Sequence, residues 1–256
     1  GLSWFNTYCF RNGVESNRLR DDFNQVFLSK GVTASTVIDS PYEEERRSSG
    51  LIYSGLYNSI SGVNNLNQFI QAEKITKDLN PTYGSIQKLF SRNTDLITFC
   101  EDRVIRIAAN KDAIFNADGN PQLIKSENVL GQVLPFTGDY GISTNPESFS
   151  KESYRVYFTD AKNGAVLRLS KDGMTNIADY GMSDYFKKNL KNYGKILGTY
   201  DDNKSYYNLT LTDYNCNTKS TNAPKTISYS ESAKGWVSFK SFIPEHGMSM
   251  ENNYYT

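Results

Sequence analysis

The chain has one histidine, His246, so any Ser-His-Asp or Cys-His machinery would have to be built on it. It stands in Pro244-Glu245-His246-Gly247, a loop-like stretch where a structural or solvated role outweighs catalysis. The three cysteines, Cys9, Cys100 and Cys216, are odd in number, widely spaced and without a C-x-x-C pair. That pattern encodes neither a zinc site nor a disulfide framework, and all three are expected to be unpaired. Asn116, Asp118, Gly119 and Asn120 match an oxygen-rich calcium loop only in part, because no glutamate follows at the spacing of the distal bidentate ligand. An ordinary Asx turn around Asp118 is the plainer reading. No G-x-x-x-x-G-K-[ST] and no strand-linked G-x-G-x-x-G occurs, so no nucleotide cofactor is expected. The carboxylates are the harder case. A glycosidase needs only two of them roughly 5–9 Å apart, and 28 acidic side chains cannot be searched for such a pair from spacing. No catalytic, cofactor-binding or metal-ligating residue is assigned.

Aromatic residues make up 13% of the chain, with 18 Tyr and 14 Phe. Trp4, Trp236 and the pair Tyr254-Tyr255 would suit stacking on sugar rings, but core or interface packing is the stronger use of such side chains. Charge is balanced at 28 basic against 28 acidic residues, so no overall field draws the chain to nucleic acid or anionic lipid. No apolar run approaches the ~20 residues that a membrane-spanning helix requires, and a soluble protein is expected. The charge cluster between Pro41 and Arg47 and the lysines Lys187, Lys188 and Lys191 read as solvated surface.

Elements that would position these groups are mainly strands. From Tyr154 to Tyr180 the sequence YRVYFTDAKNGAVLRLSKDGMTNIADY holds three short strands and two tight turns. Ala165, Leu167 and Leu169 alternate with Val166, Arg168 and Ser170, which predicts a half-buried strand. Asn163-Gly164 and Asp172-Gly173 accept positive φ cheaply and should reverse the chain into an antiparallel meander. Further strands are predicted at Ser3–Phe10, Val32–Ile38, Ile86–Ser91, Leu96–Cys100, Val104–Ile107 and Val133–Tyr140. Leu197–Tyr200 with Tyr206–Leu211 should form one pair, with Tyr207, Leu209 and Leu211 inward, and Thr226–Ser230 with Trp236–Phe239 another. A short helix is expected where Leu66, Phe69, Ile70 and Glu73 share a spacing. A second should start at Ser183 as N-cap and bury Phe186 and Leu190. The fold class is therefore mainly β, in antiparallel meanders forming a distorted or partial β-propeller, with a β-sandwich as the competing form. Residues 1–256 form one β-rich domain or part of a larger one, and residues 85–256 are the clearest blade-like region.

Five strings carry a family resemblance: RNGVESNRLRDDFN (Arg11–Asn24), SGVNNLNQFIQAEKITKDLNPTYGSIQKL (Ser61–Leu89), NKDAIFNADGNPQL (Asn110–Leu123), VYFTDAKNGAVLRLSKDGMTNIADYGMSDYF (Val156–Phe186) and KGWVSFKSFIPE (Lys234–Glu245). Across nearly the whole chain they resemble the tail stabilisation, or muzzle, proteins of crAss-like gut bacteriophages. The resemblance implies a virion component assembled in the bacterial host cytoplasm. Copies would form a ring that closes the distal end of a short tail, as propeller nozzles do in other short-tailed phages, and opens for genome delivery. It implies no catalytic residue. Implied partners are further copies of the chain, other tail proteins and the remainder of a longer polypeptide, since the run Asn252–Thr256 reads like a strand cut short. A carbohydrate-binding or glycan-cleaving tail module acting on host surface glycan is the alternative.

Overall fold

The computed structural model describes residues 8–9, 14–15, 47–55, 57–64, 66, 75–92, 95–115, 121–212 and 223–256. They divide into two compact units. The smaller comprises residues up to Pro81, 92–96 and 107–133; the larger comprises 82–91, 97–106 and 134–256.

The smaller unit contains three two-stranded antiparallel pairs: β1 (Tyr8–Cys9) with β2 (Val14–Glu15), β3 (Gly50–Ile52) with β6 (Thr76–Asp78), and β4 (Tyr57–Asn58) with β5 (Val63–Asn64). Gly62, at φ 71°, makes the tight reversal before β5. Arg47 reaches Asp78 at 3.5 Å across the β3–β6 pair.

The larger unit is built on three four-stranded antiparallel sheets that follow one another along the chain. Sheet I joins β7 (Ile86–Arg92), β8 (Asp95–Cys100), β9 (Val104–Phe115) and β10 (Pro121–Pro135), and residues 107–133 of its last two strands cluster with the smaller unit. Sheet II joins β11 (Ser150–Lys151), β12 (Val156–Asp160), β13 (Ala165–Ser170) and β14 (Gly173–Asn176). Sheet III joins β15 (Lys195–Asp201), β16 (Tyr206–Thr212), β17 (Lys225–Ser230) and β18 (Gly235–Lys240). In each of these three sheets the strands lie side by side in chain order, with no crossover. A hairpin of β19 (Met248–Met250) and β20 (Asn253–Tyr255) follows.

Sheet II is the middle layer. Its period of two sends Val156, Phe158, Ala165, Leu167 and Leu169 against Ile97, Phe99 and Val104 of sheet I. The alternate residues, Tyr157 and Val166, meet Ile196, Tyr200, Tyr207, Leu209, Leu211, Ile227 and Tyr229 of sheet III. The expected alternation on β13 is present, but the strand is not half-buried, because a sheet covers each of its faces. Gly164 (φ 66°) and Gly173 (φ 114°) supply the two reversals of the meander.

Other expectations shift in detail. The two hairpins predicted at 197–211 and 226–239 merge into one sheet, because β16 pairs directly with β17. The strand predicted over Val133–Tyr140 ends at Pro135. The short helix is α1 (Ser183–Asn189), which buries Phe186, and Leu190 is buried in the 3₁₀ turn that follows. Ser183 is not its cap: Met182 holds that position without a side-chain bond. Its N–H instead bonds Ala178 O at 3.0 Å, so a preceding 3₁₀ turn delivers the chain into the helix. Cys100 is a buried free thiol, pushed up to about 11 by burial and then by the neighbouring Glu101 charge. The strand expected at Ser3–Phe10 is described only at Tyr8–Cys9. The strand at Val32–Ile38, the helix positions Phe69, Ile70 and Glu73, and Trp4, Asp118 and Cys216 lie outside the described residues. No helix among the described residues is long and apolar enough to cross a membrane.

Candidate functional site: a carboxylate, tyrosine and arginine cluster

The densest chemistry in the larger unit lies where sheets II and III meet. Tyr157 on β12 and Arg168 on β13 are direct cross-strand partners, and the period of two turns both toward sheet III. A turn before β12, closed by Glu152 N–H to Arg155 O at 2.8 Å, brings Glu152 and Arg155 together. Glu231 arrives from the β17–β18 turn, 63 residues from Arg168.

Arg155 Nη1 donates to both Glu152 oxygens at 3.1 and 3.2 Å, and Arg168 Nη1 donates to both Glu231 oxygens at 2.9 and 3.0 Å. The Tyr157 hydroxyl sits between the two acids, 3.1 Å from Glu152 Oε2 and 3.1 Å from Glu231 Oε1. Those two oxygens are therefore no more than about 6 Å apart, near the ~5–5.5 Å carboxyl spacing of a retaining glycosidase. A guanidinium has only donors, so each arginine meets both oxygens of its acid as acceptors and the two ion pairs flank the phenol. Burial, and then the charges of Glu152 and Glu231, push the Tyr157 phenol above its ordinary value, so it serves as a donor and not as a nucleophile. The ring is fully buried, while the Arg168 and Glu231 side chains keep 21% and 16% exposure. The arrangement is a clamp: it ties the β17–β18 turn to sheet II and gives the buried phenol its partner.

Tyrosines line the contact beneath. Tyr157 stacks on Tyr207 at 4.9 Å and on Tyr200 at 5.7 Å, and Tyr229 meets Trp236 edge-on at 5.4 Å. Each such pair contributes roughly 0.5–1.5 kcal/mol beyond its buried area. Tyr207 Oη donates to Ser148 O at 2.9 Å, and burial raises its phenol. Gly198 lets the same carbonyl approach β15, because a Cβ there would fall 2.0 Å from Ser148 O. The Tyr229 hydroxyl has no partner among the described residues.

The sequence-flagged residues do not converge on this cluster. His246 is exposed in the loop after β18 and lines a cleft of about 260 Å³ with Lys195, Leu197, Thr212, Ile243, Pro244 and Glu245. Among those lining residues there is no serine or cysteine nucleophile for it to activate. Trp236 is half-buried, packs on Phe186 and donates its Nε1–H to Ile177 O at 3.0 Å, which makes it a core aromatic and not a sugar platform. Tyr254 bonds Thr199 at 2.6 Å through its hydroxyl, while Tyr255 is exposed. No group of three or more His, Cys, Asp or Glu among the described residues could hold a metal. Sequence reasoning missed Glu152, Tyr157 and Glu231. The one available signal was Arg168, the only charge in its strand. No protein-family model and no curated protein matches the chain.

Proposed function

We propose that the chain is a structural, non-catalytic component of a short phage tail. Its three sheets act as blades of a distorted or partial propeller within a distal muzzle or nozzle ring. One observation carries this reading: four-stranded meanders succeed one another in chain order, each layered face to face on the next. A sandwich would send the chain back and forth between its sheets, whereas a propeller completes each blade before starting the next. The resemblance of the five strings to crAss-like phage muzzle proteins points the same way. The cluster at Tyr157 fits a stabilising role, since its charges are spent on one another.

Sedimentation of residues 1–256, alone and mixed with other tail proteins, tests the proposal. The expected outcome is association into species of defined size. A monomer at all concentrations that releases reducing sugar from host glycan, and loses that activity in Glu231→Gln, would overturn it in favour of a glycan-cleaving module.

A further inference from the structure

Two polar atoms beside the charge clamp are left unmatched, and they lead beyond the assembly reading. Arg168 gives Nη1 to both Glu231 oxygens at 2.9 and 3.0 Å and Nη2 to Thr175 Oγ1 at 3.4 Å, but its Nε–H has no protein partner. The Tyr229 hydroxyl has none either, and both atoms are shielded from solvent. A buried donor left unmet carries the full desolvation cost of its group. Tyr229 stands two residues before Glu231 and packs with Tyr157, the cross-strand partner of Arg168, in the contact between sheets II and III. Its ring is fixed by Tyr180, stacked at 6.3 Å, and by Trp236, edge-on at 5.4 Å, so the hydroxyl cannot swing away to another partner. The charges of Glu231 and Arg168 both act on the phenol, which sets the hydroxyl beside their ion pair. Glu231 also keeps an open acceptor position: a carboxylate has about four lone-pair sites, and three are taken, one by Tyr157 and two by Arg168.

We infer that this point is a site for one internal water, which accepts from Tyr229 Oη and Arg168 Nε and donates to Glu231. Two unmet donors and one open acceptor supply the roughly three hydrogen bonds that a buried water makes with polar groups lacking other partners. An ion fits worse. Arg155 and Arg168 balance Glu152 and Glu231, so the cluster has no surplus charge to hold one. A chloride would lie against the Glu231 carboxylate and a metal cation against the Arg168 guanidinium. The water extends the clamp from the ion pair to β17, so that Tyr229 joins the same hydrogen-bonded network as Arg168 and Glu231.

A high-resolution crystal structure of the full chain should show one ordered water within about 2.7–3.2 Å of both Tyr229 Oη and Arg168 Nε. Tyr229→Phe keeps the ring and the Arg168–Glu231 pair and deletes one of the water's partners. It should raise the unfolding equilibrium constant about two- to tenfold, the loss of one net hydrogen bond. An orphaned hydroxyl would give the opposite sign, because its deletion relieves an unmet buried donor. A dry site, an ion in place of the water, a direct protein partner for Tyr229 Oη, or a Tyr229→Phe chain as stable as the parent or more so overturns the inference. None of these outcomes bears on ring assembly, which sedimentation tests separately.

Discussion

Sheet II makes two contacts that differ by one residue in register. Toward sheet I it offers hydrocarbon: Phe158 meets Phe99 edge-on at 5.0 Å, and Phe149 packs on Phe99 at 5.4 Å. Toward sheet III it offers Tyr157 and Arg168, whose polar atoms must be matched by Glu152 and Glu231. The hydrocarbon contact gains from burial in any orientation that fills space, whereas the tyrosine contact is satisfied in one orientation only. A slip of one residue on β13 would turn Arg168 into the phenylalanine layer and Leu167 onto Glu231. The first contact therefore supplies bulk stability, and the second fixes which register is occupied.

The largest effect should come from the hydrocarbon side. Phe158→Ala removes a fully buried ring between two sheets and is expected to cost about 3–5 kcal/mol, read from chemical denaturation. A loss below ~1 kcal/mol would mean that sheets I and II do not rely on that layer.

Next in size is the charge clamp. Arg168→Ala leaves Glu231 without its bidentate partner, and Glu231→Ala strands the guanidinium, so each should cost about 2 kcal/mol. The double variant should cost less than the two singles together, with a coupling of roughly 1–3 kcal/mol. Additive losses would show that the two side chains act separately, and the contrast between the contacts would fail.

These contacts were unequally legible in the sequence. Both faces of β13 could be read from alternation, because Ala165, Leu167 and Leu169 and their neighbours Val166, Arg168 and Ser170 sort by period alone. That both faces are covered could not be read, since a period of two does not reveal a third layer. Phe186 and Leu190 gave the helix away by spacing, but its cap was misread because the chain enters it from a 3₁₀ turn. The clamp was invisible for a simpler reason: Glu231 is 74 residues from Tyr157, and no local pattern pairs them.

Alkaline titration sharpens the comparison further. Burial, then Glu152, pushes Tyr200 up to about 12, and burial, then Glu231, pushes Tyr229 up to about 12, from an ordinary value of 10.0. The folded state thus keeps protons that the unfolded state loses, so stability is full below pH 10 and falls as pH rises toward 12. Each fully shielded phenol, Tyr207 for instance, steepens the fall by up to about 1.4 kcal/mol per pH unit. The hydrocarbon contact adds nothing to the phenol slope; among the described residues of sheet I, Cys100, raised from 9.0 to about 11, contributes in the same direction from pH 9 upward. Denaturation midpoints measured across the alkaline range should decline less steeply in Tyr207→Phe. An unchanged decline would place the titrating groups elsewhere.

The smallest effect should come from the atom at the centre of the clamp. Tyr157→Phe deletes one hydroxyl and leaves the ring stacked on Tyr207 and Tyr200. A phenol has a single proton, so at any moment it serves either Glu152 or Glu231 and never both. Without it Glu152 still accepts from Arg155 at 3.1 Å and Glu231 from Arg168 at 2.9 Å, so neither acid is orphaned. The expected cost is about 1 kcal/mol, the ordinary net value of one hydrogen bond. In the Tyr157→Phe background the coupling between Arg168 and Glu231 should survive nearly intact. If the substitution costs more than ~3 kcal/mol, or abolishes that coupling, the phenol and not the arginine pair holds sheets II and III in register.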